Sequence, residues 1–258
     1  MGKRRKAAGD GVKSVGVAAA VLGALAAGGG MLPLRDLAQA TGMPRAKVHR
    51  YLAALRAADL VAQDADGGHY RIGPAAITIG LAGLRILDPA REAAAALPKL
   101  RRTINETVTA AIWGDAGPTI IAIEESDHLV TMNVRVGSVL PVSMTAIGRV
   151  FAAYLPPKVT RPYVVAERKS AAGAPSEREL ARLVAEIRRS GTSFRHGALI
   201  PGVDAIAAPV FDHKRRLAAV LCAVNRSANT ARQNFLAKEI SVAAHALSRR
   251  LGFSGAAA

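Results

Sequence analysis

Apolar residues along this chain change their spacing several times, and the changes mark out its elements. Val17, Val21 and Leu25 recur every fourth residue, with Leu22 beside them and small Ala and Gly residues between. That stripe predicts an amphipathic helix, ended by Gly28-Gly29-Gly30. Leu34, Leu37, Ala38 and Thr41 give one apolar-leaning face of a second, short helix. Gly42-Met43-Pro44 breaks it, since glycine takes positive φ readily and proline suits the start of a helix. From Pro44 to about Ala57, Val48, Tyr51, Leu52 and Leu55 share one face of a third helix. Leu60-Val61-Ala62 and the alternating His69-Tyr70-Arg71-Ile72 flank a turn signal at Asp64 to Gly68, which predicts a two-stranded hairpin.

Pro74 to Leu87 reads as a connecting helix with Ile77, Leu81, Leu84 and Ile86 apolar. Asp88 is placed to cap the next helix, with Pro89 at its first position, and apolar residues carry it to about Ile104. Beyond Asn105 the pattern becomes short β-branched runs: Val108 to Trp113, Ile120 to Glu124, Leu129 to Val134, Asp204 to Phe211 and Leu217 to Val224. The last two face each other across a turn at Asp212 to Arg216. Helices are predicted at Thr145 to Leu155, at Glu177 to Arg189 behind a Pro175-Ser176 cap, and at Thr230 to Leu251. The terminal helix carries a stripe of Phe235, Ile240, Ala243, Ala244 and Leu247. The expected fold class is α+β, with four parts: a basic arm (1–13), a winged helix-turn-helix (14–73), a linker helix (74–88) and an antiparallel-sheet domain (89–258).

Two helices, a tight turn and a hairpin in that order are the grammar of a winged helix-turn-helix, whose second helix reads base edges. The helix from Pro44 suits that task, spanning about 21 Å. Opposite its apolar face stand Ala46 and Arg50, flanked by Lys47 and His49, with Arg45 in the first turn. A cation near the N-terminus can pair with guanine, and cations further along grip phosphate. We therefore assign Arg45 and Lys47 to the base edges, and His49, Arg50 and the wing residue Arg71 to phosphates, with Ala46 on the same DNA-binding surface. A helical hairpin with a solvated basic face has the same local pattern; the β-hairpin after it favours DNA.

Composition changes this picture little. The formal charge of +16 favours a polyanionic partner. Residues 1–85 contribute +7 and residues 86–258 +9, so charge alone does not locate the nucleic acid. A single cysteine, Cys222, excludes a disulfide framework, and the six histidines lack zinc-site spacing. Val15 to Leu34 carries no charge and comes after a basic start, as a signal peptide or weak anchor would. Its bulky residues form a single helical stripe, so the expectation is the first helix of the DNA-binding domain in a cytoplasmic protein without membrane contact.

The chain resembles the IclR family of bacterial transcriptional regulators over roughly residues 12–253. The resemblance is carried by Leu37-Ala38-Gln39-Ala40-Thr41-Gly42-Met43-Pro44, Val48-His49-Arg50-Tyr51-Leu52, Tyr70-Arg71-Ile72-Gly73-Pro74, Val136-Gly137 to Thr145-Ala146-Ile147-Gly148-Arg149, and Gly202-Val203 through Ile206-Ala207-Ala208-Pro209-Val210-Phe211-Asp212. It implies a GAF-like or profilin-like effector domain, a palindromic operator, and homodimers that commonly pair into tetramers. Met132 to Pro141 with Gly148-Arg149-Val150 is most similar to members that sense aromatic acids such as protocatechuate or 4-hydroxybenzoate. Two departures stand out. Ala46 and Lys47 occupy places where the family often has Ser and Thr, and Arg195-His196-Gly197-Ala198 replaces a usual acidic cluster.

The resemblance places the effector at Thr145, Ala146, Ile147 and Gly148. There a Thr145 cap would leave helix-start amides facing an anion. Asp204, Ala205, Ile206, Leu221, Cys222 and Ala223 would form the facing strand walls. Arg195 and His196, cations where carboxylates are usual, are expected to favour a small organic acid. No Ser/His/Asp order, paired-carboxylate motif, phosphate loop or metal spacing supports an enzyme, and no cofactor is expected. The competing reading, an exported or anchored binding protein, rests on the charge-free N-terminal run.

Overall fold

The computed structural model describes residues 12–64, 68–127, 134–197, 202–226 and 229–255. It divides into two units, the first ending at Ile86 and the second beginning at Leu87.

In the first unit the elements are α1 (Lys13–Ala27), β1 (Met31–Pro33), α2 (Leu34–Thr41), α3 (Arg45–Ala57), β2 (Val61–Gln63), β3 (His69–Ile72) and α4 (Pro74–Ile86). Val21, Leu25, Leu37, Val48 and Leu52 are fully buried in one core, joined by Leu55, Val61 and Tyr70. The first part of the charge-free N-terminal run, Val15 to Ala27, thus lies in a core helix, α1. No helix among the described residues is long and apolar enough to cross a membrane. Gly42 takes the left-handed conformation (φ 65°) that ends α2 where the sequence predicts a break. The wing has three strands rather than two, in the order β1-β3-β2. Gly29 and Gly30, at φ 81° and 89°, turn the chain back so that Met31 pairs with Arg71 and Leu32 with Tyr70. A three-residue strand is too short to show alternation in the sequence.

The second unit contains α5 (Pro89–Ile104), β4 (Thr107–Gly114), β5 (Gly117–Glu124), α6 (Ala146–Tyr154), α7 (Pro157–Ser170), α8 (Glu177–Ser190), β6 (Ser193–His196), β7 (Val203–Phe211), β8 (Leu217–Arg226) and α9 (Thr230–Arg250). Its five strands form an antiparallel sheet in the order β5-β4-β8-β7-β6. One face packs on α5 and α9 through Val108, Ala110, Ile206, Ala208, Leu221 and Ala223. The other packs on α6 and α8 through Ala111, Ala207, Val220 and Cys222 against Ile147, Val150, Phe151 and Ile187. Asp88 caps α5 by accepting from the amides of Ala90 and Arg91, and Ser176 with Glu179 makes a capping box on α8.

Three expectations need correction or fall elsewhere. The sequence pattern predicts no helix at α7, because Pro162 interrupts it and only Thr160 and Val164 are buried. In α9 Leu236 joins Ile240, Ala244 and Leu247 in the core, whereas Phe235 is 37% exposed and lies under the Arg232 guanidinium. The basic arm (1–11) lies outside the described residues, as does most of the strand expected at Leu129 to Val134; Val134 itself is not in a strand.

Candidate nucleic-acid interface and effector site

Helix α3 buries Val48, Leu52 and Leu55 and turns Arg45, Ala46, His49 and Arg50 to solvent, with Lys47 half-buried beside them. None of Arg45, Lys47, His49 and Arg50 has an ion pair or side-chain hydrogen bond among the described residues. The face is therefore positive, uncompensated and carried on a rigid element, as phosphate and base-edge contacts require. Arg71 differs. Its Nε lies 3.5 Å from Asp64 Oδ1, so the wing cation is already paired across the hairpin.

The second site begins at α6. Pro141–Met144 turns into the helix, and Thr145 caps it by accepting from the Gly148 amide at 2.9 Å. That amide is thus spent on the cap, and only those of Ala146 and Ile147 are left at the helix start. Gly148 is dictated by crowding, since a Cβ there would sit 2.2 Å from the Pro141 carbonyl oxygen and 2.4 Å from that of Val142. Glu167 of α7 secures the turn, accepting from the Val142 and Ser143 amides and from Ser143 Oγ.

The strand residues expected to line the site divide between the two faces of the sheet. Side chains alternate along a strand, so consecutive residues cannot all point into one pocket. Ala205 and Cys222 face α6, as does Arg195, which pairs across to Ala205 and donates Nε–H to the Met144 carbonyl at 3.3 Å. Ile206, Leu221 and Ala223 are instead in the core beneath α5 and α9. His196 and Asp204 also belong to that side: they pair at 2.5 Å (Nδ1–Oδ1), and Gln233 of α9 donates to Asp204 Oδ2. These five residues therefore do not meet Thr145–Gly148. Cys222 is fully buried against the Thr109 hydroxyl, and burial pushes its thiol up to about 12.

Two buried polar residues that the sequence does not assign to the effector lie beside Arg195 and the turn before α6. Arg149 is only 5% exposed, donates Nε–H to the Ser143 carbonyl at 2.8 Å, and has no carboxylate partner among the described residues. Burial, with Arg195 nearby, pulls its pKa down to about 10. Ser193, two residues before Arg195 on the same strand face, is 1% exposed and its Oγ has no hydrogen-bond partner among the described residues. Nothing in the residue pattern marks either side chain as buried, since helical phase alone puts Arg149 at a surface-compatible position. Among the described residues no cluster of His, Cys, Asp and Glu could hold a metal ion.

The arrangement offers a basic recognition helix in one unit and an unneutralised, buried guanidinium in the other. Two family descriptions match it: "IclR helix-turn-helix domain" over residues 14–65 and "Bacterial transcriptional regulator IclR C-terminal" over residues 82–249. The chain belongs to the IclR family. This IclR-family protein is 26% identical to the HTH-type transcriptional regulator KipR of Bacillus subtilis, covering 86% of this chain and 91% of KipR. It is 28% identical to the transcriptional repressor IclR of Escherichia coli over 76% of this chain and 74% of the repressor. Among solved structures, Pseudomonas aeruginosa HmgR is similar with a TM-score of 0.84 and 39% identity, covering 95% of this chain and all of HmgR. The chain is a DNA-binding transcriptional regulator with a C-terminal effector-binding domain, and not an enzyme.

Proposed function

We propose that this IclR-family regulator reads a palindromic operator through Arg45, Ala46 and Lys47, grips phosphate with His49 and Arg50, and changes its operator affinity when a small organic acid binds. Arg45, Lys47 and Arg50, with His49 beside them on one face of α3 and none of them partnered among the described residues, support the DNA assignment. Arg71 contributes to phosphate binding only by giving up its pair with Asp64, so its effect is smaller than that of Arg50. The effector lies on the α6-facing side of the sheet, near Arg195, Ala205 and Cys222 and the helix start at Thr145 to Ile147. An acid is favoured there because Arg149 and Arg195 stand near each other, both cationic, while Glu167 is turned to the Val142 and Ser143 amides and the Ser143 hydroxyl.

The protein acts as a dimer. Helix α4 buries none of its residues and leaves Ile77, Ile79, Leu81 and Ile86 at least 49% exposed, an apolar surface that a second copy would cover. A dimer also matches the two-fold symmetry of an operator with two half-sites. Fluorescence anisotropy on a labelled fragment upstream of the chain's own gene tests the whole reading. Binding should weaken steeply as salt rises, and should shift by about 1–3 kcal/mol when the correct acid is added. Binding that ignores both salt and every organic acid would overturn it.

A further inference from the structure

The facing sides of α7 and α8 are not packed together. On α7, Arg161, Val164, Val165 and Arg168 recur at helical spacing, and on α8 Leu180, Ala181, Val184 and Arg188 do the same. Stripes of this kind ordinarily meet in a core, yet α7 buries only Thr160 and Val164, and α8 only Ile187. The stripes line instead an open groove of about 450 Å³, inside the roughly 300–1,000 Å³ range of small-molecule sites. Its lining comes from α6, α7 and α8 alone and from no strand, so an occupant here is independent of the effector proposed above.

We propose that this groove binds an anionic single-chain amphiphile of medium length, its head at Thr160, Arg161 and Arg188 and its hydrocarbon tail on Val164, Leu180 and Val184. The two ends of the groove differ in charge. Arg188 donates Nε–H to the Ala153 carbonyl at 2.7 Å and the Tyr154 hydroxyl donates to the Ile187 carbonyl at 3.3 Å, which brings the end of α8 to the start of α7. Two guanidiniums stand there without a carboxylate. Among the described residues Arg161 has no ion pair or hydrogen bond, and Arg188 has only its bond to the Ala153 carbonyl. Thr160 is 5% exposed and lines the groove with a hydroxyl that also lacks a hydrogen-bond partner among the described residues. At the opposite end the charge is balanced, since Arg168 pairs with Glu177 from helix to helix (Nη1–Oε2 3.9 Å). From Thr160 to Arg168 the helix rises about 12 Å, and the surface between those ends is apolar. Two cations and a hydroxyl at one end of an apolar trough complement an anion that carries a tail. A neutral chain would leave the guanidiniums unpaired, and a short acid would leave the trough unfilled.

Calorimetry on the full-length protein with octanoate, octanol, octyltrimethylammonium and acetate, the amphiphiles kept below micelle formation, tests the site. Octanoate should bind at least about tenfold tighter than octanol, and neither the ammonium nor acetate should bind measurably. Arg161→Ala and Thr160→Val should each lower octanoate affinity toward that of octanol. Neither should change the melting temperature of the ligand-free protein, because neither side-chain polar group is bonded within the fold. A diazirine-bearing octanoate, photolysed on the protein, should label α7 or α8 in peptide mass spectrometry. Octanol binding as tightly as octanoate, tight binding of the ammonium, labelling confined to the strands, unchanged octanoate affinity in both variants, or silence from every amphiphile would each overturn the proposal. So would self-association that is lost in Arg161→Ala, which would assign the groove to a second copy of the chain.

Discussion

Individual side chains divide into those that read, those that bind and those that hold. Arg45 and Lys47 stand at the start of α3, where Arg45→Ala should cost about 1–3 kcal/mol and relax specificity at one base position. Arg50→Ala should weaken all sequences alike and lower the salt slope by about one. Anisotropy with operator and scrambled DNA at several salt concentrations separates the two, and identical behaviour of both variants would contradict the assignment. Asp212 is a holding residue. Burial alone would raise its carboxyl, but hydrogen bonds from the Arg216 amide and guanidinium and from the Lys214 amide hold it below its ordinary value. A depressed folded-state value stabilises the fold above the unfolded carboxylate pKa of about 3.9, and that contribution disappears as pH falls through the folded value. Asp212→Asn should therefore be less stable than the parent by about 1–3 kcal/mol at pH 7, with the gap closing in acid; urea unfolding at pH 7 and pH 3 checks it.

Among the elements, α6 and the turn before it form the most tightly specified piece. The Pro141 and Val142 carbonyl oxygens come so close to Gly148 that only glycine fits, and backbone atoms on both sides cannot move aside cheaply. Gly148→Ala should cost about 1–3 kcal/mol in thermal unfolding and weaken effector binding, since the same turn presents the Ser143 and Met144 carbonyls that orient Arg149 and Arg195. An alanine variant with parental stability would show that the turn is looser than this packing implies. At α8, Ser176→Ala removes the capping box and should cost about 1 kcal/mol without changing effector affinity. That contrast tells a stability defect from a site defect.

For the molecule as a whole, the expected assembly depends on α4. Ile79 is 65% and Ile86 84% exposed. Ile79→Glu should shift the protein toward monomer in sedimentation equilibrium and weaken operator binding, because two half-sites no longer bind as one. A parent chain that is monomeric at micromolar concentration would refute the dimer. Effector binding should also stabilise the second unit by mass action, by about 2.7 kcal/mol at a hundredfold excess over Kd. Differential scanning calorimetry would register this as a rise in the melting temperature of that unit.

Most of the architecture is legible in the residue pattern, because burial of one helical or strand face leaves a periodic trace. The helix pair around Gly42, the Asp88 and Ser176 caps and the β7–β8 hairpin all come from short-range spacing. Elements that escape it lack that trace: β1 is three residues long, and α7 is polar, proline-interrupted and buried at only two positions. The exposed basic face of α3 needs nothing beyond helical phase, so the sequence alone places it. The proposed effector site is different, for it would draw on α6, β6, β7 and β8, distant in sequence and joined only by the sheet order. Strand alternation sends Asp204, Ile206, Leu221 and Ala223 to one side and Ala205 and Cys222 to the other, and a run of letters does not say which side meets α6. Only the packed structure shows that, among the described residues, Arg149 is sealed from water with no carboxylate and Ser193 Oγ with no hydrogen-bond partner, because desolvation is a property of neighbours brought together by folding.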